Sequence, residues 1–253
     1  MNIPKSVLVA FSMFSALPVP QVEWDKNSMR FSLCAFPLVG AVIALLCRGW
    51  LLLCAVLKLP ALLRGALLCL LPVFVTGGIH LDGYADTCDA MASHGSVEKK
   101  QEILKDPHIG AFAAIRLCVY FTASLALWTA LPAVSLPALL GLFCLSRSLS
   151  GLALVTFPLR EGSGLARSFA EAADSKGVRI VLIVLVLVSA LLLVLSGQAL
   201  SAIAAVLVFL YYRHMSARSF GGLSGDLAGW FLQTAELWML AAMVLTHYGR
   251  ALL

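Results

Sequence analysis

Asp82, Asp86 and Asp89 stand within eight residues of one another in residues 76–90, TGGIHLDGYADTCDA, directly after a run of hydrocarbon side chains. Carboxylates beside a membrane are costly unless something compensates their charge. On a helix over residues 82–93 the spacing i, i+4, i+7 puts all three on one face, within an arc of about 60°, and Ser93 joins them. Like charges at that spacing destabilise a helix unless a cation sits among them. Hard oxygen ligands select Mg²⁺, Mn²⁺ or Ca²⁺ over zinc. Asp82 and Asp89 would lie about 10 Å apart along the axis, so one ion takes two of the carboxylates. The third serves a second ion or a ligand from elsewhere, and two metals about 3.5–4 Å apart suit phosphoryl displacement. The structural alternative is that the three carboxylates cap and solvate a helix start; it leaves Asp89, on the same stripe, without a reason.

A second ligand source lies in RSFGGLSGDLAG, residues 218–229, where Asp226 follows Gly221, Gly222 and Gly225. Glycines let backbone N–H groups approach phosphate oxygens closely. Residues 96–112, SVEKKQEILKDPHIGAF, form a short amphipathic helix with Ser96 as N-cap and Asp106-Pro107 as its stop. That turn delivers Lys105, Asp106 and His108 beside the following apolar run, while Lys99 and Lys100 suit a solvated patch. Arg116 and Arg147 fall inside apolar runs. An arginine at such depth costs roughly 2.5–3.5 kcal/mol on insertion scales and normally faces an internal cavity. Arg116 is near enough to an end to snorkel; Arg147 is deeper and is expected to bind an anion. Arg160, Arg167, Arg213 and Arg218 line the mouth and suit a polyanionic substrate. His80, just before the aspartates, is a candidate base or a structural hydrogen-bonding histidine.

These residues need a frame to hold them. The 253 residues are 61% hydrophobic and 12% charged, with mean hydropathy +0.95, whereas soluble domains carry about 25% charged residues. The fold class is therefore all-α, a polytopic membrane bundle forming a single catalytic domain over residues 1–253. Runs of about 20 apolar residues mark spans at 31–57, 61–79, 111–131, 134–157, 178–197, 199–212 and 228–247. The first is long enough to tilt or to emerge near Arg48, and the sixth is short. Residues 1–20, interrupted by Pro18 and Pro20, read as an interfacial or half-membrane helix. Eleven basic residues gather on one side (Lys26, Arg30, Lys99, Lys100, Lys105, Arg160, Arg167, Lys176, Arg179, Arg213, Arg218) against Lys58, Arg64 and Arg250 on the other. The first side is therefore cytoplasmic, and every candidate loop lies on it. The net charge of +5 marks orientation and gives no reason to expect nucleic acid. Seven cysteines without a CxxC pair suggest neither a disulfide framework nor a zinc site.

Acidic residues for Mg²⁺, basic residues for phosphates and a cytoplasm-facing cavity point to transfer of a phosphate-linked group. The D-G-x-A-D text differs from the D-G-x-x-A-R signature of the CDP-alcohol phosphotransferases, with Asp86 in place of the arginine. FSALPVP near the N-terminus, FPLVG at 36–40, TGGIHLDGYADTCDA at 76–90, EILKDPHIGAF at 102–112, SR at 146–147 and GGLSGDLAG at 221–229 instead resemble the cobalamin synthase family across nearly the whole chain.

The resemblance implies a bacterial inner-membrane enzyme joining adenosylcobinamide-GDP to α-ribazole, or its 5′-phosphate, with release of GMP. It implies Mg²⁺, with Mn²⁺ as a possible substitute, on Asp82, Asp86 and Asp89 together with Asp226. Lys105, Arg147 and Arg218 would then hold phosphates, and His80 or a metal-bound carboxylate would act as base. Other late B12-assembly enzymes or a second copy are possible partners. Three positions depart from the family pattern: Ala90 replaces a common glycine, His108 a usual arginine, and Gln233 a frequent glutamate, leaving Glu236 as the nearby acid. A transporter, or a scaffold without catalysis, would share the apolar spans. Neither needs the aspartate stripe beside a glycine-rich loop.

Overall fold

A computed structural model describes residues 3–173 and 175–250. Met1 and Asn2, the start of the expected N-terminal segment, lie outside the described residues. The helices run in order α1 (Ile3–Phe14), α2 (Lys26–Met29), α3 (Ser32–Leu57), α4 (Ala61–Thr76), α5 (Ile79–Ala92) and α6 (Val97–Ile103). They continue with α7 (Ala111–Ala130), α8 (Leu136–Leu154), α9 (Leu165–Ala172), α10 (Ser175–Leu195), α11 (Ala199–Phe220) and α12 (Gly225–Arg250). No strand occurs among the described residues beyond an isolated bridge between Leu159 and Leu223.

Six helices, α3, α7, α8, α10, α11 and α12, are long and apolar enough to cross a membrane. The path of the chain makes α4 the seventh crossing. Arg64, in its first turn, donates to the carbonyls of Thr129 and Leu131 at the far end of α7, so α4 and α7 run antiparallel between the same two faces. Helix α5 begins only after α4 has crossed and turns 98° from it. Two consecutive glycines make that turn possible: Gly77 has φ +64° and Gly78 φ +81°, a conformation in which a side chain is strained. Leu45, Val56, Leu187, Leu195 and Leu207 lie exposed on the outside of the bundle, as a lipid-facing surface requires. The chain is a multi-pass membrane protein. Helix α1, at 12 residues, spans only about 18 Å, in keeping with a half-membrane segment, and it packs Val9, Ala10 and Phe14 into the core.

Two expectations are corrected. The sixth span is not short: α11 runs 22 residues to Phe220, because no helix breaker occurs before Gly221, and it carries Arg213 and Arg218 on its last turns instead of in a loop. The second span, expected over 61–79, ends at Thr76, because Gly77 and Gly78 turn the chain there. Asp25 and Ser28 form a capping box that starts α2. Helix α9 folds back over the bundle through Phe169, which is 2% exposed.

The face opposite α5 is closed by arginines on carbonyl groups. Arg48 donates to Val134 and Arg250 to Gly197. Such bonds satisfy carbonyls in the short connections between helices, which lipid cannot.

Candidate functional site

The site is built where α5 lies across α12. A Cβ on Gly83 would stand 2.7 Å from the carbonyl oxygen of Asp226, and one on Gly229 would stand 2.6 Å from that of His80. The two helices therefore touch backbone to backbone, each presenting a glycine to the other. Small residues of this kind are what allow close approach inside a membrane. This contact brings Asp82 and Asp86 of α5 up to Asp226 in the first turn of α12.

Two cavities meet at Asp82. The first, about 370 Å³, is lined by His80, Asp82, Arg160, Ser163, Ser224 and Asp226, with Phe14, Phe36 and Phe169 as aromatic walls. The second, about 450 Å³, is lined by Gly77, Gly78, Asp82, Asp86, Pro107 and Ile109. Asp82 and Ile79 border both. Asp82 is exposed, while Asp86 and Asp226 are half-buried. Burial, and then the charges of Asp82, Asp226 and Asp89, push the Asp86 carboxyl up to about 6. A cluster of carboxylates in this condition attracts a cation.

Among the described residues no three His, Cys, Asp or Glu side chains converge into a ready-made metal cage. The donor chemistry nonetheless fits Mg²⁺, which keeps several waters and is usually held by one or two carboxylates together with substrate phosphates.

Arg160 reaches the first cavity through an unusual path. Leu223 N–H donates to the carbonyl of Pro158 at 2.9 Å, and Arg160 N–H donates to that of Leu223 at 3.0 Å. The loop after α8 is thereby zipped to the loop before α12. Gly222 makes the zipper possible: its φ is +142°, and a Cβ there would stand 2.6 Å from the Arg160 nitrogen. Arg160 is 7% exposed, its charge acts on Asp226, and its buried Nη1 has no hydrogen-bond partner. His80 is equally enclosed, at 7% exposure, with Nε2 unpartnered and its ring near Phe14 and Phe36.

Several expected residues are placed elsewhere. Asp89 lines neither cavity. Its Oδ1 accepts from Ala113 N–H at 3.3 Å and its carboxylate covers Gly110, so it anchors the start of α7, where a negative charge is favourable. Arg147 is 1% exposed and pairs with Glu236 at 2.6 Å; it is neutralised within the bundle and offers nothing to a phosphate. Gly221 caps α11 and Gly222 positions Arg160, so of the three loop glycines only Gly225 lines a cavity. Arg218, Lys105 and Arg116 are exposed and border neither cavity. Asp106 is held below the ordinary carboxylate range by hydrogen bonds from the His108 N–H and ring.

Sequence reasoning placed Arg160 only among the basic residues of the mouth, gave Phe14 and Phe36 no role beyond opening FSALPVP and FPLVG, and passed over Ser163 and Phe169 altogether. The available signal was REGSG at 160–164, a basic residue followed by closely spaced glycines.

With this geometry in hand, the sequence matches the family described as cobalamin-5-phosphate synthase over residues 6–244. The chain belongs to that family. It is 40% identical over 245 residues to the adenosylcobinamide-GDP ribazoletransferase of Lachnoclostridium phytofermentans, covering 96% of this chain and 94% of the relative. Relatives of the same name from Clostridium botulinum strain Alaska E43 and from Geobacillus kaustophilus are 32% and 31% identical. Each of those alignments covers at least 93% of either chain. No solved structure matches.

The distinct placement of Asp89 has a direct consequence. Asp89→Asn keeps an oxygen acceptor for Ala113 N–H and should retain activity within about threefold. Asp89→Ala should destabilise the protein by about 1 kcal/mol, the usual cost of losing a helix-start acceptor. Turnover and thermal unfolding of both variants check this; a collapse of Asp89→Asn activity would return Asp89 to the metal set.

Proposed function

We propose that this chain transfers the adenosylcobinamide phosphate of adenosylcobinamide-GDP to α-ribazole or its 5′-phosphate. The products are adenosylcobalamin, or its 5′-phosphate, and GMP, formed at the cytoplasmic face of a bacterial inner membrane. The observation that carries the proposal is the meeting of two cavities at Asp82, beside Asp86, Asp226 and Arg160, in a member of this family. A two-substrate transfer needs two compartments and a shared wall where the reacting groups meet.

Asp82 and Asp226, with Asp86 beside them, would hold Mg²⁺, or Mn²⁺ in its place, which supplies charge neutralisation on the diphosphate oxygens. The acceptor hydroxyl forms a new O–P bond to the phosphorus bearing cobinamide. The bond from that phosphorus to the bridging oxygen breaks, and the electron pair leaves with GMP. His80 Nε2 takes the hydroxyl proton. It lies in the same cavity as Asp82 and Asp226, and burial, with the charge of Arg147, disfavours its protonated form, so the ring stands neutral and able to accept a proton. The basic residues on the cytoplasmic side draw in an anionic substrate.

The test is reconstitution. Protein purified in detergent, given adenosylcobinamide-GDP, the azole riboside and Mg²⁺, should release GMP and a new corrinoid in equal amounts, and only with both substrates present. GMP released without the riboside would make the protein a hydrolase. His80→Ala should lower kcat about 10²–10⁴-fold, the range for removing a general base, with both KM values nearly unchanged. An unaltered kcat would remove His80 from proton transfer.

A further inference from the structure

The two cavities differ in kind, and the difference assigns the two halves of the reaction. An in-line displacement sets the attacking and departing oxygens on opposite sides of the phosphorus. Asp82 stands on the wall common to both cavities, so the acceptor occupies one side and the departing nucleotide the other. The corrin macrocycle with its side chains is far larger than either cavity and must remain outside both.

The first cavity is walled by three aromatic rings. The centroids of Phe14 and Phe36 lie 4.2 Å apart, and those of Phe14 and Phe169 lie 5.6 Å apart. Leu154, Leu165 and Leu232 complete its apolar side. Guanine carries N–H donors and a carbonyl along its edge, and burying these against hydrocarbon without partners is unfavourable. A benzimidazole-type azole has no exocyclic amino or carbonyl group and suits such walls. The polar groups lining this cavity are Arg160, Asp82, Asp226, His80 and the hydroxyls of Ser150, Ser163 and Ser224, suited to a sugar and its phosphate. The second cavity offers the Asp86 carboxylate, an acceptor able to meet the N–H donors of a guanine edge.

We propose, resting on the transfer reaction above, that the aromatic cavity is the acceptor subsite. It takes the azole base against the wall formed by Phe14, Phe36 and Phe169, with the buried Arg160 guanidinium facing the 5′-phosphate, and the Asp86 cavity takes the nucleotide. Arg160 then determines whether the phosphorylated riboside is preferred over the unphosphorylated one.

Equilibrium binding to the detergent-purified protein tests this without turnover, using α-ribazole, α-ribazole 5′-phosphate and GDP with Mg²⁺ as separate probes. Phe169→Ala should weaken both ribosides at least about tenfold, the effect of removing an aromatic anchor, and leave GDP within about twofold. Retained GDP binding also reports that the variant is folded. Arg160→Gln should weaken α-ribazole 5′-phosphate by about tenfold or more, as expected for a lost charge-assisted contact, while α-ribazole is unaffected. If Phe169→Ala weakens GDP and spares the ribosides, the assignment is overturned while the transfer reaction stands. If Arg160→Gln weakens both ribosides equally, Arg160 does not read the phosphate. A wild-type protein that binds none of the probes would overturn the reaction itself along with the subsites.

Discussion

Asp82→Asn and Asp226→Asn are each expected to lower the transfer rate about 10²–10⁴-fold, several kcal/mol of transition-state stabilisation, without unfolding the protein. Asparagine keeps the size and an oxygen but removes the charge that a divalent ion and a diphosphate between them require. The two positions reach the site from different helices, α5 and α12, and meet only because Gly83 and Gly229 let the backbones touch. The double variant should therefore lose little more than either single one, since groups that act as a unit are not additive. Steady-state rates for the three variants check this. Multiplying losses would mean that the two carboxylates act on separate steps.

The second large effect is on stability. Glu236→Ala should destabilise the bundle by about 3–5 kcal/mol, because it leaves Arg147 buried without its partner. Arg147 is enclosed by more than this one ion pair. It also donates to Ser146 Oγ and to the Phe143 carbonyl, and its guanidinium lies 5.9 Å from the centre of the Phe36 ring. Gly40 of α3 packs directly on it. Replacing both members, Arg147→Met with Glu236→Leu, should restore most of the lost stability, as apolar substitution of a whole buried pair commonly does. Thermal unfolding in detergent distinguishes the cases. An Arg147→Met protein of unchanged stability but weakened substrate binding would contradict this role and restore the expectation of an anion site.

That reversal shows where the sequence was legible and where it was not. Hydropathy located the spans because lipid demands long apolar helices, but it carried the second span through Gly77-Gly78 to residue 79, whereas the chain turns there into α5. The length of α11 escaped because its last turns are polar while still helical, so an apolar ruler stopped at residue 212. Arg147 looked like an anion site because its intramembrane position signals a partner without naming it. The partner, Glu236, is 89 residues away in sequence and was read only as a nearby acid. Asp89 shares a helical stripe with Asp82 and Asp86, but the N-terminus of α7 arrives over it. Periodicity on one helix cannot foresee that. Phe14, Phe36 and Phe169 come from α1, α3 and α9; Phe14 and Phe36 open two of the family-like stretches, but nothing local shows that the three rings meet in one cavity wall. Arg160 was visible as a basic residue; its place beside Asp226 depends on the zipper between two loops some 60 residues apart.

The most direct test of a carboxylate-held metal acting on the diphosphate is a Mg²⁺ titration of GMP release. Wild-type protein and Asp82→Asn would be stripped with EDTA and supplied with both substrates at saturation. Wild-type release is expected to be absent in EDTA and to return saturably with Mg²⁺ or Mn²⁺, whereas Asp82→Asn remains slow at every concentration. Release by the wild type in EDTA, or a variant that reaches the wild-type rate at the same Mg²⁺ concentration, would contradict a metal held by these carboxylates.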